Sequence, residues 1–213
     1  MSYEPKLAAA LSGATLAQLA HWRNARDGQG AILLPELSAT KPVLYSFRDI
    51  LALRTCVALR RESSLQRIRK ALSTLRVDLG ERDHLSRYTL VAGNDTIYFV
   101  DVDEQEAVDL VRSRANLVMH ELVEVLRPYY YNGRRVPALF EPRPHLSVRP
   151  DVRGGEPVIK GTRVPYQQVA SLVRDGVAAA RIRDFYPGVS EAAAVDAADF
   201  ADYADSYQTQ VAA

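Results

Sequence analysis

Residues 5–23 read PKLAAALSGATLAQLAHWR, and this stretch decides how the first third of the chain folds. Pro5 suits the first turn of a helix, where its missing N–H would have had no partner anyway. Leu7, Ala8 and Leu11 follow at helical spacing, and Ser12-Gly13 stop the run. Thr15-Leu16-Ala17-Gln18 is a capping box: the Thr hydroxyl accepts a first-turn N–H while Gln reaches back. The spacing therefore predicts a second helix from about Thr15 to Asn24 or Ala25, with Leu16, Leu19 and Trp22 inward. Two short helices around a glycine turn make a helix-turn-helix.

Working outward, Asp27-Gly28-Gln29-Gly30 ends the second helix. Ala31–Leu34 and Val43–Tyr45 are short apolar runs, expected to pair as a small wing. Ser46-Phe47-Arg48-Asp49 opens a third helix to about Arg61. Ser63-Ser64 opens a fourth, with Leu65, Ile68, Ala71, Leu72 and Leu75 on one face. Residues 88–102 are β-rich around Gly93-Asn94-Asp95 and predict a hairpin. Asp103 with Glu106 predicts a helix over about 104–127. Pro128–Pro150 holds five prolines and three consecutive tyrosines, which reads as an extended connector or arm. Beyond it, Pro165 suits a helix start, Asp175-Gly176 a stop, Ala178–Tyr186 a short helix and Ser190 the cap of a last helix to about Tyr203.

The charge is segregated. Residues 1–80 carry 12 Lys/Arg against 6 Asp/Glu, 81–127 carry 5 against 10, 128–183 carry 10 against 4, and 184–213 none against 6. Such asymmetry suggests different partners for different segments, and a basic first piece suits a polyanion such as DNA; a merely solvated basic face has the same composition. No apolar run approaches the roughly 20 residues that span a bilayer. The first ten residues lack the apolar centre of a signal peptide, and Cys56 stands alone. A cytoplasmic protein without a membrane partner is expected.

Residues 3–75, through YEPKLAAALSGATLAQLAHWR and YSFRDILALRTCVALRRESSLQRIRKAL, resemble a MerR-like winged helix-turn-helix. The region 145–204 resembles a small helical domain of unknown function, family 433, found in bacterial antitoxins. It carries PDVRGGEPVIKGTRVPYQQVASLVRDG and then IRDFYPGVSEAAAVDAADFADYA. Together the two pieces resemble VapB-type antitoxins, whose partners are PIN-like ribonuclease toxins. Two departures from the MerR pattern, an intervening β-hairpin and a cysteine inside the third helix, argue against metal sensing. The resemblance implies a DNA-binding repressor that dimerises on operator DNA and neutralises its toxin.

Candidate DNA-binding residues follow from the second helix lying in a major groove. Gln18 and His21 would meet base edges; Arg23, Arg26 and Lys41 would hold phosphates, and Arg67, Arg69 and Lys70 would add backbone contacts. Candidate partner-binding residues are Tyr129, Tyr130, Arg134, Arg135 and Arg143 in the arm, with Lys160 and Arg163 in the last module. Tyr and Arg are enriched at interface hot spots, and an inserted Arg would pair with the metal-binding carboxylates of a PIN-like nuclease. For each cation, a solvated surface charge is the plainer alternative.

Catalysis has little behind it. His21, His84, His120 and His145 are scattered, and His120-Glu121-Leu122-Val123-Glu124 lacks the second His of a zinc-protease helix. Asp101, Asp103, Glu104 and Glu106 surround an expected helix N-terminus, where acids are favoured without any metal. The sequence predicts no enzyme, no cofactor and no metal site. The expected fold is mainly α with small β hairpins: a winged helix-turn-helix (1–80), a hairpin-and-helix region (81–127) available for dimerisation, a Pro/Tyr/Arg-rich linker or arm (128–144) and a small helical, helix-turn-helix-like domain (145–213). The alternatives are a MerR-like one-component regulator without a toxin, and a pure protein–protein adaptor.

Overall fold

The computed structural model describes residues 2–24, 30–77, 89–93, 96–101, 106–109 and 126–207. It is mainly helical, with small antiparallel β elements. Helix α1 (Pro5–Ser12) ends at Gly13, whose φ of 79° is left-handed and lets its N–H reach Ala9 O at 2.8 Å. That is the usual glycine stop. Helix α2 (Leu16–Trp22) has the full capping box: Gln18 N–H donates to Thr15 Oγ1 at 3.1 Å, and Thr15 N–H donates to Gln18 Oε1 at 2.9 Å. Leu19 and Trp22 are buried.

The wing does not form as expected. Residues 31–34 make no strand, because their donors are taken elsewhere: Ile32 and Leu33 N–H both donate to Trp22 O, at 2.8 and 3.2 Å. Leu44 pairs only with Ser38, and Tyr45 pairs with Tyr3. Pro35 and Pro42 supply no N–H that a ladder could use. The loop is fixed instead by Asp49, whose Oδ2 accepts from the N–H of Glu36 (2.9 Å) and of Ser46 (2.7 Å). Ser46 and Asp49 also form the capping box of α3 (Phe47–Glu62). Helix α4 is Leu65–Val77.

Strands β1 (Thr89–Gly93) and β2 (Thr96–Asp101) form the expected hairpin, with Thr89 opposite Val100 and Gly93 opposite Thr96. A third strand, β3 (Glu106–Asp109), stands where the helix over 104–127 was expected to start. Its residues pair antiparallel with β2, Glu106 opposite Asp101 and Asp109 opposite Tyr98. A ladder to an existing edge strand outweighs the local capping signal there. The remainder of that expected helix, residues 110–125, lies outside the described residues.

The segment 128–144 is not an extended arm. Strands β4 (Tyr129–Tyr131) and β5 (Arg134–Val136) form a tight hairpin around Asn132 and Gly133, both at positive φ (49° and 73°) as a two-residue turn requires. Val136 and Leu139 are fully buried. Prolines in this segment mark turns within a packed region rather than a solvated spacer.

The C-terminal part has β6 (Leu146–Ser147) paired with β7 (Val158–Ile159), then helix α5 (Tyr166–Arg174), a short 3-10 helix over Ala179–Asp184 within the stretch where a short helix was expected, and α6 (Glu191–Asp205). Ser190 caps α6 through Ala193 N–H at 3.2 Å. Tyr166 meets Phe200 edge-on at 4.9 Å, locking α5 to α6.

The two ends of the chain share one core. Helix α1 is buried almost all round, and its Ala8-Ala9-Ala10 run lets other elements approach closely. Tyr3 Oη donates to Gly155 O at 2.6 Å, and Tyr203 Oη donates to Ala10 O at 3.1 Å. Arg54 of α3 is fully buried and donates to Leu11 O (2.6 Å), Pro137 O (3.1 Å) and Arg127 O (2.8 Å). Its guanidinium lies 4.9 Å from the centre of the Tyr129 ring. The cation thus meets the carbonyl end of α1, where positive charge is favoured.

Burial pushes the Tyr129 phenol up to about 12, against the opposing charge of Arg54. It also pushes Tyr3 and Tyr203 upward. A phenol whose folded pKa exceeds the unfolded value near 10 keeps its proton longer in the native state, so its contribution holds below pH 10 and is lost as pH rises toward the folded value. The urea midpoint is therefore expected to fall steadily between pH 10 and 12. A flat midpoint there would contradict the burial of these phenols.

Candidate functional site

The residues expected to touch DNA divide into two groups. Gln18 does not face outward: its Oε1 closes the capping box and its Nε2 donates to Tyr131 Oη at 2.8 Å. Arg69 is buried and donates to Gly30 O at 3.1 Å. It stands four residues after Leu65 and three before Leu72, which puts it beside the apolar stripe of α4. The Gln18 amide and the Arg69 guanidinium are thus committed to the fold. Lys41 and Lys70 are exposed; His21, Arg23 and Arg67 are half-buried. Arg23 bears on Tyr45, where its charge opposes the upward push of burial on that phenol. Arg26 lies outside the described residues.

The partner-binding candidates do gather. Arg134, Arg135 and Arg143 line one open groove of about 820 Å³, together with Pro128, Tyr203 and Ser206. Arg134 lies 4.8 Å from the Tyr207 ring centre and donates to Ser206 Oγ (3.0 Å) and Ser206 O (3.3 Å). Arg143 stacks on Tyr203 and Phe200, at 5.2 and 5.6 Å, and pairs with Asp199 at 2.5 Å. Such ring contacts fix a guanidinium in place and lower the entropy it loses on binding. Among the described residues Arg134 has no carboxylate partner. Tyr130 is 69% exposed, whereas Tyr129 faces inward and donates to Ser12 O at 2.6 Å. Lys160 does not line the groove itself but pairs at 2.7 Å with Glu141, which does, and Arg163 is exposed.

The four aspartates of the last helix are paired within the chain. Asp196 accepts from His145, Asp199 pairs with Arg143, Asp202 and Asp205 pair with Arg174, and Asp205 also meets Lys6. Segregation along the sequence becomes neutralisation in space. Tyr203 on α6 and Tyr207 just past its end, which hold the groove arginines, stand four residues apart, and that spacing was the available signal.

A second cavity of about 520 Å³ lies between the start of α1 and helices α5 and α6, lined by Lys6, Leu7, Leu44, Glu156, Tyr166 and Arg174 among others. Among the described residues, no three of His, Cys, Asp and Glu gather as metal ligands, and no helix is long and apolar enough to cross a membrane.

Residues 146–201 match a family described as a protein of unknown function, DUF433. The match covers less than half of the chain and corresponds to β6 through most of α6. The crystal structure of Rv2018 from Mycobacterium tuberculosis is similar with a TM-score of 0.51 at 18% identity, over 92% of this chain and 97% of that one. At that identity the likeness is one of fold, and it extends well beyond the family match. No curated protein matches the chain.

Proposed function

We propose that this chain is an antitoxin-type repressor: a cytoplasmic homodimer that neutralises a PIN-like ribonuclease through its Arg/Tyr groove and holds operator DNA through its N-terminal helices. It performs no catalysis itself. The observation that carries the reading is Arg134, held rigidly by Tyr207 and Ser206 on the wall of an open groove without a carboxylate of its own. A nuclease that binds metal through clustered carboxylates offers the complementary charge. A preorganised Arg flanked by aromatic rings is the kind of side chain on which binding energy concentrates.

The experiment is co-purification of the chain with the nuclease encoded beside it. Arg134→Gln is expected to weaken retention about tenfold, equal to about 1.4 kcal/mol, with the urea midpoint recorded as a control on folding. Unchanged retention removes the groove from the interface. Absence of any nuclease from the native complex removes the antitoxin reading. A second reading, a one-component regulator that answers a small molecule, is favoured by the 520 Å³ cavity at the junction of the two chain ends.

A further inference from the structure

The region expected as a wing, residues 31–45, is spent on the fold, since its backbone groups are held by Trp22, Tyr3 and Asp49. A different hairpin occupies the side of the helix-turn-helix. β4–β5 comes more than a hundred residues later, yet its inner face grips the turn between α1 and α2. Tyr129 Oη donates to Ser12 O at 2.6 Å, Tyr131 Oη accepts from Gln18 Nε2 at 2.8 Å, and Val136 packs so closely on Gly13 that an added Cβ would stand 2.5 Å from its Cγ2.

The outer face of the same hairpin is open, at the edge of the groove that Arg135 also lines. Tyr130 and Arg135 are directly opposite each other in the ladder, so their side chains leave on one side, and both are exposed. Between Arg127 and Phe140 the chain has three arginines and no acid.

We infer that β4–β5 is the DNA-contacting wing of this protein: a rigid, cationic hairpin, docked on the helix-turn-helix, that meets the sugar-phosphate backbone of duplex DNA beside α2. This rests on the proposed DNA binding and goes further by naming the contacting element. Arg135 supplies the phosphate contact. Tyr130 covers the adjoining sugar and donates its hydroxyl. The Asn132-Gly133 tip, lacking bulk, allows close approach. Phosphate contacts position a protein without reading sequence, so the wing contributes affinity to every duplex alike. The register of α2 on the duplex is then set through Tyr131 and Gln18.

The test measures binding of the full chain to the promoter duplex of its own operon, and to an unrelated duplex of equal length, by fluorescence anisotropy over a range of salt. Tyr130→Ala with Arg135→Gln is expected to weaken both duplexes by about tenfold and to lower the salt slope by about one. Arg181→Gln, an exposed cation on the far module paired with Asp184, is expected to leave both unchanged. Binding by the wild-type chain that the double variant retains in full overturns the wing and leaves DNA recognition to other residues. A double variant that keeps DNA but loses the nuclease overturns it in favour of a protein partner on this hairpin. Failure of the wild-type chain to bind either duplex overturns the wing and the DNA reading together.

Discussion

Arg54→Ala is expected to destabilise the protein by about 4 kcal/mol, from three unsatisfied carbonyls and the cavity left behind. The side chain donates to Leu11 O, Pro137 O and Arg127 O at 2.6 to 3.1 Å, so one truncation orphans acceptors on three separate segments. A small protein has only about 5–15 kcal/mol in total, so the variant is expected to be partly unfolded at 37 °C. Arg54→Lys keeps the charge, but its single ammonium cannot span the same three acceptors and loses the planar contact with Tyr129. It is expected to recover about half of the loss. Urea unfolding followed by circular dichroism measures both. A loss below about 1 kcal/mol for the alanine variant would show that water satisfies these carbonyls, and would remove Arg54 as the fastening between α1, α3 and the segment from Arg127 to Pro137.

Gly155→Ala comes next in size, at about 3 kcal/mol from backbone strain and overpacking combined. Gly155 has a φ of 93°, which side-chain-bearing residues avoid, and a Cβ there would collide with the Tyr3 hydroxyl and stand 2.9 Å from Phe47 Cδ2. Both neighbours belong to the first quarter of the chain. The substitution therefore pushes the C-terminal module off the surface that α1 and α3 present to it. Combining it with Tyr3→Phe removes one of the colliding atoms and leaves the strained φ and the Phe47 contact. The double variant is expected to lose less than the sum of the two single losses. Strict additivity would mean that Tyr3 and Gly155 do not touch as described.

What was legible in the sequence was local. Thr15 with Gln18, Ser46 with Asp49, Gly13, and Ser190 before α6 each announced a helix boundary within four residues, and the structure has all of them. Those signals are self-contained, because a cap or a left-handed glycine is decided by neighbours along the chain. The hairpin of β1 and β2 was legible for the same reason. Side-chain direction was less so. The local pattern puts Gln18 on an outward face of a short helix, yet its amide meets Tyr131. Its partner, Tyr131, lies 113 positions away and leaves no trace in the local pattern. The opposite error befell the proline-rich segment: its composition suggests exposure, but Val136 and Leu139 bury it.

The amino-acid order by itself determined α1 to α6, the caps of α2, α3 and α6, the first hairpin and the uneven placing of charge, because each of these depends on residues within a turn or two of one another. Only the tertiary structure decided that α1 would be central to both ends of the chain, and that the aspartates of α6 would meet Lys6, Arg143, His145 and Arg174. It alone decided that a late hairpin, rather than the loop before α3, would flank α1 and α2. The physical reason is common to all three. Burial and ion pairing are contests among distant segments for one limited interior, and their outcome depends on which surfaces fit, not on any segment read alone.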